Sequence, residues 1–346
     1  MKLLIGDRLI GRDQSVFLIA EVGLAHDGSL GAAHAYIDAA AACEVDAIKF
    51  QTHIAEQEST SEEKFRVRVF PQDATRYDYW KRTSFSKSQW LELAAHAREK
   101  GLQFLSSPFS NLAVDWLVEC DVPAWKVASG ELTNYPMLKK MCQTGKPLLV
   151  SSGMSSWQEL QETIDFIDRQ GSHFGIFQCT TAYPCPPEKW GLNIIPELIS
   201  RFSCPVGLSD HSGCTTPGIV ATALGASMLE FHVAFSKIQF GPDAKASLTF
   251  EQTQELVDSV RQVHIAMHNP IDKDTQAASS IHLHHLFTKS IVASRKLSAG
   301  HTLTFDDLAF KKPGTGIGAN RWESFVGKVL KHDVIEDHFF TMSDFR

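Results

Sequence analysis

The 346-residue sequence has no C-x-x-C pair, no G-x-G-x-x-G after its first strand-like run, no low-complexity tract and no short-period repeat. No apolar run approaches the ~18–20 residues that a membrane span needs. The opening MKLLIGDRLIGRDQSVFLIAEVG does not read as a secretory signal: Asp7, Arg8, Arg12 and Asp13 break its apolar stretch, and no small-residue cleavage site follows. Basic residues are not in excess either. Forty acids against 33 bases give a net charge of -7, which argues against a broad nucleic-acid surface and leaves room for a local anion pocket. The seven cysteines are odd in number, so reduced core or near-site thiols are expected rather than a disulfide framework. The expectation is a soluble cytoplasmic protein with no membrane and no nucleic acid among its partners.

What is present is an ordinary globular composition, 43% hydrophobic and 21% charged, with length for roughly two domains. After a hairpin around Gly6 and Asp7, short apolar runs alternate with amphipathic stretches. Strands are expected at Phe17–Val22, Asp46–Gln51, Gln103–Ser107, Ala124–Ser129, Pro147–Ser152, Phe174–Cys179, Pro205–Ser209 and Ser227–His232. Helical periodicity runs through Leu30–Ala42, Lys87–Lys100, Asn111–Glu119, Ser156–Arg169 and Pro217–Leu224. Eight strands alternating with helices predict an α/β fold of the TIM (β/α)8 type, with an open doubly wound sheet as the rival. The texture changes near Asn269, where NPIDKDTQAASSIHLHHL is polar and weakly periodic. We therefore place a barrel domain at residues 1–270, a linker at 271–287 and a small module at 288–346, with short strands, a Lys-Pro-Gly-Thr-Gly turn and one small helix near Arg321–Val326.

Polar, chemistry-capable residues recur where the strands end, which in a parallel barrel is one rim. Lys49 and Lys126 interrupt runs that should be buried, where an unpaired ammonium is costly. Period-two alternation sends Lys49 and Gln51 to one face. With Ser107, Ser129, Ser151 and Ser152 as hydroxyl donors, the lysines point to a phosphate or carboxylate pocket; a structural ion pair with Glu21 or Glu131 is the alternative. His211 and His232 end consecutive strands near several carboxylates, which points to a divalent-metal site, with hydrogen bonding to Asp210 as the alternative. Imidazoles alone do not choose between zinc, iron and manganese. His282, His284 and His285 read as solvated, and Cys179 as packing. The loop holding SEEK, Tyr77, Tyr79 and Trp80 reads as a lid or as surface.

The motifs IAEVGLAHDGSL, IKFQTH, FLSSPFS, WKVASGE, LLVSSGM, FQCTTAYP, VGLSDHSG, LEFHVAF and FGPDAKASL together resemble the sialic acid synthase family. LSAGHTLTFDDLAFKKPGTGIG resembles its antifreeze-like (SAF) domain. The resemblance implies a TIM barrel followed by a small C-terminal SAF domain, acting as a domain-swapped homodimer. It also implies condensation of phosphoenolpyruvate with an N-acetylmannosamine-like sugar to a nine-carbon 2-keto acid and phosphate. Carried over motif by motif, it assigns Lys49, Ser107, Lys126, Ser129, Ser151, Ser152 and Thr181 to phosphoenolpyruvate, and His211 and His232 to a metal. That metal is Mn²⁺, with Mg²⁺ or Co²⁺ as substitutes. Gln51, Tyr183, Asp243 and Lys312 fall to the sugar, and Glu21, Glu131 and Lys126 to the chemistry. Three departures lie on the sugar side: Lys312 replaces the family's Arg before Pro-Gly, Ala244-Lys245 follows Asp243 where relatives often have His, and Phe231 precedes His232 where some have Arg. Alternative acceptors are therefore the diacetamido-trideoxyhexoses of legionaminate- or pseudaminate-type synthesis. A Schiff-base pyruvate aldolase and a non-catalytic sugar-binding protein are the rival classes.

Overall fold

All eight apolar runs pair as parallel strands, within two residues of the expected ends. The computed structural model describes residues 2–65 and 71–346 and divides into two compact units, Met1–His268 and Asn269–Arg346. In the first, a hairpin of β1 (Leu3–Ile5) and β2 (Arg8–Ile10) precedes β3 (Phe17–Gly23), α1 (Leu30–Ala42) and β4 (Ala47–Thr52). An excursion then carries the short helices α2 (Ala55–Glu58) and α3 (Arg76–Thr83) before α4 (Lys87–Glu99). The alternation resumes with β5 (Gln103–Pro108), α5 (Asn111–Glu119), β6 (Trp125–Val127), α6 (Tyr135–Cys142) and β7 (Leu148–Ser151). It continues through α7 (Trp157–Arg169), β8 (Phe174–Cys179), α8 (Ile194–Arg201) and β9 (Val206–Asp210). The unit ends with α9 (Thr216–Ala223), β10 (Met228–His232) and α10 (Phe250–His268). The strand order is β5-β4-β3-β10-β9-β8-β7-β6, with β5 and β6 side by side at the seam, a TIM-like barrel.

Local sequence explains the helix starts. Ser29, Ser86, Ser110 and Ser156 each accept a backbone N–H of the first turn, and Ser86–Gln89 and Ser156–Glu159 form reciprocal capping boxes. Each such cap is worth about 1 kcal/mol. The apolar faces of the barrel helices pack on the outside of the sheet, where Trp90, Leu117, Leu138, Ile164 and Leu198 are buried. A second cluster fills the barrel interior: Phe17, Ile19, Ala47, Leu105, Leu149, Phe177 and Met228, closed from below by Leu3, Ile5 and Ile10 of the hairpin. A Cβ on Gly207 would lie 2.7 Å from both the Phe177 ring and the Met228 carbonyl, so glycine there makes room for the interior aromatic. Two positions further along β3, β4 and β5, apolar side chains give way to polar ones: Ile19 to Glu21, Ala47 to Lys49, Leu105 to Ser107.

In the second unit, the segment expected as a linker forms two short helices, α11 (Lys273–Ser279) and α12 (Ile281–Phe287), the first started by the Asp272 side chain. They lead to an antiparallel pair, β11 (Ser290–Ala293) and β12 (Leu308–Lys311), over a core that includes Ile291, Leu303, Phe325, Leu330 and Phe340. The small helix near Arg321 is a 3₁₀ turn over Ala319–Ser324. Asp307 is the polar hub of this core, fully buried. It accepts from Arg295 Nη2 at 2.6 Å, His301 Nε2 at 2.8 Å and the Thr304 backbone N–H at 2.9 Å. Burial alone would raise its pKa, but these donors outweigh burial and hold it below the usual carboxylate range. Because the folded value is depressed, the stabilisation is present above the unfolded carboxylate value of about 3.9 and is lost as pH falls below it. Asp307→Ala should cost about 3 kcal/mol in urea unfolding of the full chain at neutral pH. An unchanged midpoint would contradict the role of this hub.

Candidate active site

The polar ends of the barrel strands enclose a cavity of about 360 Å³. Its floor is a buried quartet of two lysines and two glutamates. Lys49 Nζ lies 2.6 Å from Glu21 Oε2 and 3.6 Å from Glu230 Oε1, and Lys126 Nζ lies 3.5 Å from Glu230 Oε1. Ser209 donates to Glu230 Oε1 at 3.1 Å, Lys49 donates to Ser107 at 3.4 Å, and Lys126 donates to Ser151. The register explains the cluster: Glu21 sits opposite Lys49 on β3–β4 and opposite His232 on β3–β10. The ion pair and the anion pocket offered as alternatives by the sequence are thus the same lysines. The floor is charge-balanced, not the cationic patch that two lysines alone would make.

The two carboxylates titrate in opposite directions. Burial pushes Glu21 up to about 7, against the pull of Lys49 and with the help of Glu230. Burial also opposes the charge on Glu230, but Lys126 and Lys49 together outweigh it and lower its pKa. One neighbour against two accounts for the difference, and the pair titrates as a unit. Lys49 loses from burial and gains more from Glu21 and Glu230, so it stays an ammonium. Glu21 is therefore the group able to take up or release a proton near neutrality. Its backbone turn depends on Gly23, at φ +56°, where a Cβ would come within 3.3 Å of Gln51 Nε2 and 3.4 Å of Glu21 Oε1 and His232 Cε1.

Above the floor stand the two histidines, both buried, with ring centroids 5.1 Å apart. Burial, followed by the charge of His232, drives the His211 pKa well below its ordinary value, so its ring is neutral. Its Nδ1 lies 2.9 Å from Thr180 Oγ1 and its Nε2 2.9 Å from the Tyr183 hydroxyl. With Nδ1–H on Thr180, Nε2 accepts from the Tyr183 hydroxyl, and a metal ion would take that lone pair in the hydroxyl's place. Glu230 Oε2 is buried with no hydrogen-bond partner. Among the described residues no set of three or more His, Cys, Asp or Glu is arranged to hold a metal. A divalent ion would thus take two imidazoles from the protein and leave its other positions to water or substrate, a donor set that does not choose among zinc, iron and manganese.

Most of the expected site residues line this one cavity: Glu21, Lys49 and Gln51; Ser107; Lys126 and Ser129; Ser151; Thr181 and Tyr183; His211 and His232; and Asp243. Three do not. Glu131 sits on the 3₁₀ turn after β6, where its carboxylate accepts from Asn134 Nδ2 at 2.7 Å, and it is not part of the lining. Ser152 donates its hydroxyl to the Phe177 carbonyl at 2.8 Å instead of facing the cavity. Lys312 belongs to the second unit, its ammonium 5.0 Å over the Phe287 ring. The sequence reading passed over Glu230 as a site residue, although a charge within MLEFH on the face of His232 was the available signal. It also left the Tyr77–Trp80 loop undecided, and the structure answers in part: Phe65, Arg76, Tyr79 and Trp80 of the excursion line the cavity. Residues 66–70 of that loop lie outside the described residues. The seven cysteines are free thiols, and no helix among the described residues is long and apolar enough to cross a membrane. Lys126→Met should weaken binding of inorganic phosphate at least about tenfold in calorimetric titration, with an unchanged circular dichroism spectrum. Undiminished phosphate affinity would contradict an anion site at this lysine.

Comparison with known proteins gives the arrangement its context. Residues 36–272 match the NeuB family, and residues 288–346 match the SAF domain. The chain is 34% identical to N-acetylneuraminate-9-phosphate synthase of Mus musculus, over 88% of this chain and 85% of that protein. It is 31% identical to N,N'-diacetyllegionaminic acid synthase of Campylobacter jejuni, over 94% of this chain and 98% of that protein. Among solved structures, N-acetylneuraminic acid synthetase of Leptospira borgpetersenii superposes with a TM-score of 0.73 at 27% identity, covering 82% of this chain and 96% of that one. With the motifs, the barrel and the matched regions in agreement, the chain belongs to the NeuB family of sialic acid synthases and carries a C-terminal SAF domain.

Proposed function

We propose that this protein condenses phosphoenolpyruvate with an N-acetylated amino sugar of the N-acetylmannosamine type, adding water and releasing phosphate and a nine-carbon 2-keto acid. The observation that carries the reading is one cavity with a lysine–serine cradle at its base and two adjacent imidazoles at its wall. Lys49, Lys126, Ser107, Ser129, Ser151 and Thr181 would hold the carboxylate and phosphate of the donor, and Gln51, Tyr183 and Asp243 the sugar. His211 and His232 would hold the divalent ion, Mn²⁺ with Mg²⁺ or Co²⁺ as substitutes, which when bound supplies Lewis-acid polarisation of a carbonyl oxygen. In the proposed reaction C3 of the enol phosphate forms a bond to the aldehyde carbon, whose oxygen takes the electron pair of the broken C=O bond and then a proton, leaving C2 cationic. Water adds at C2 and gives its proton to Glu21, whose raised pKa suits a base near neutrality. The tetrahedral C2 centre then expels phosphate with its bridging oxygen, leaving the 2-keto group. Of the two carboxylates open for this step, Glu21 lines the cavity and Glu131 does not. The homodimer and a sugar contact through Lys312 belong to the same proposal.

The paired state of the lysines favours this reaction over Schiff-base aldol chemistry, which needs a neutral amine. Lys49 is held as an ammonium by two carboxylates, and Lys126 faces Glu230. The second acceptor reading, a diacetamido-trideoxyhexose, is favoured by the likeness to the legionaminic acid synthase. The test is phosphate release from phosphoenolpyruvate and Mn²⁺ across a panel of N-acetylated hexosamines, with and without a 6-phosphate. One sugar should give stoichiometric phosphate, insensitive to borohydride. Glu21→Gln should lower kcat about 100-fold or more, and His211→Ala should abolish turnover. No phosphate release with any sugar, or borohydride trapping of pyruvate on a lysine, would overturn the proposal.

A further inference from the structure

One buried histidine near the cavity has no part in the chemistry above. His53 follows β4 directly, two residues beyond Gln51, and is only 3% exposed. Its ring is stacked between Trp80, at 3.9 Å and 12°, and Phe109, at 4.3 Å and 11°. The sandwich fixes the ring plane, and in that plane both nitrogens meet oxygen. Nδ1 lies 2.6 Å from Glu58 Oε1, and Nε2 lies 3.2 Å from Gln51 Oε1. The chain of contacts then continues inward, because Gln51 Nε2 donates to Glu21 Oε1 at 2.8 Å.

The polarity of this chain is set from its inner end. Glu21 is paired with Lys49, so its oxygen accepts and the Gln51 amide must present NH₂ to it. The Gln51 carbonyl then points the other way and needs a donor, which is His53 Nε2–H. A ring that donates at Nε2 and also faces a carboxylate at Nδ1 carries both protons, with Glu58 as its counter-ion. The neighbouring His26 is pushed down to about 3, chiefly by burial, so its ring is neutral.

We infer that His53, clamped by Glu58, is a positioning residue that holds the Gln51 amide in the one orientation that gives Glu21 its hydrogen bond. Without the Nε2 donor, Gln51 gains nothing by this orientation, and a turned amide would set its carbonyl against the Glu21 carboxylate. The clamp also ties the α2–α3 excursion to the floor, since Glu58 ends α2, Trp80 lies in α3, and Ser84 donates to the His53 carbonyl at 3.0 Å. This inference rests on the phosphoenolpyruvate-condensing reading, because Glu21 is the group it serves.

The test is a double-mutant cycle on the full chain, read as phosphate release at saturating and limiting phosphoenolpyruvate. His53→Phe keeps the aromatic stack and removes both hydrogen bonds. It should lower kcat about 10–100-fold while changing KM for phosphoenolpyruvate about twofold or less. In a Gln51→Ala background the same substitution should have no further effect, because its target is gone. His53→Gln, which offers an amide N–H toward Gln51, should recover most of the lost kcat. Multiplicative effects in the cycle, or an equal loss in His53→Phe and His53→Gln, would overturn the inference and leave the reaction assigned. Absence of turnover in the unmodified protein would instead overturn the reading beneath it.

Discussion

Two ammonium groups and two carboxylates buried under one barrel rim are the constraint around which the rest of this molecule is arranged. Removing one partner from such a set leaves an uncompensated charge, at a cost of about 3–5 kcal/mol. Well-packed hydrophobic side chains would serve stability as well or better. The interior just below does consist of such residues, from Phe17 to Met228. The polar layer above it is therefore retained for what it can bind, and its internal balance keeps it folded while empty. An arriving anion meets the two ammonium groups of that set.

The barrel makes this arrangement with little local effort. Parallel strands send alternate side chains inward, so strands such as β3, β4 and β5 contribute an apolar residue to the lower layer and a functional one to the upper. The hairpin at the start of the chain closes the lower end with Leu3, Ile5 and Ile10, which leaves the upper end as the open one. Residues far apart in sequence, Glu21 and Glu230 among them, come together because β3 and β10 are neighbours in the sheet. The excursion between β4 and α4 adds an aromatic wall, and its stack on His53 reaches the same carboxylate from the outside.

How far this was legible in the sequence depended on whether burial or contact determined each feature. The barrel strands were readable because their apolar runs are buried on both faces and are broken by polar or charged residues toward their ends, as at AIKFQT and MLEFH. Lys49, Lys126, His211 and His232 stood out for the same reason, as charge where apolar residues were due. Helices α11 and α12 were read as linker because their apolar residues do not mark a buried face: Ile281, Leu283, Leu286 and Phe287 are all exposed. Helix α3 depends on the Thr75–Asp78 capping box and on stacking against a distant histidine, which periodicity does not report. Where Glu131 points was not readable because a residue just past a short strand follows its turn, and the 3₁₀ turn there brings its carboxylate to Asn134. Ser152 shows the same limit, one residue beyond β7 and turned to the backbone of β8.

The proposed reaction makes a definite demand on bond order. If C2 of the donor becomes electrophilic and water adds there, phosphate must leave with the oxygen that bridged carbon and phosphorus. Phosphoenolpyruvate carrying heavy oxygen in that bridging position distinguishes this course from hydrolysis at phosphorus. Mass spectrometry of the products with the accepted amino sugar should find the heavy oxygen in the released phosphate and none in the 2-keto acid. Heavy oxygen retained in the keto acid would contradict the account at its centre.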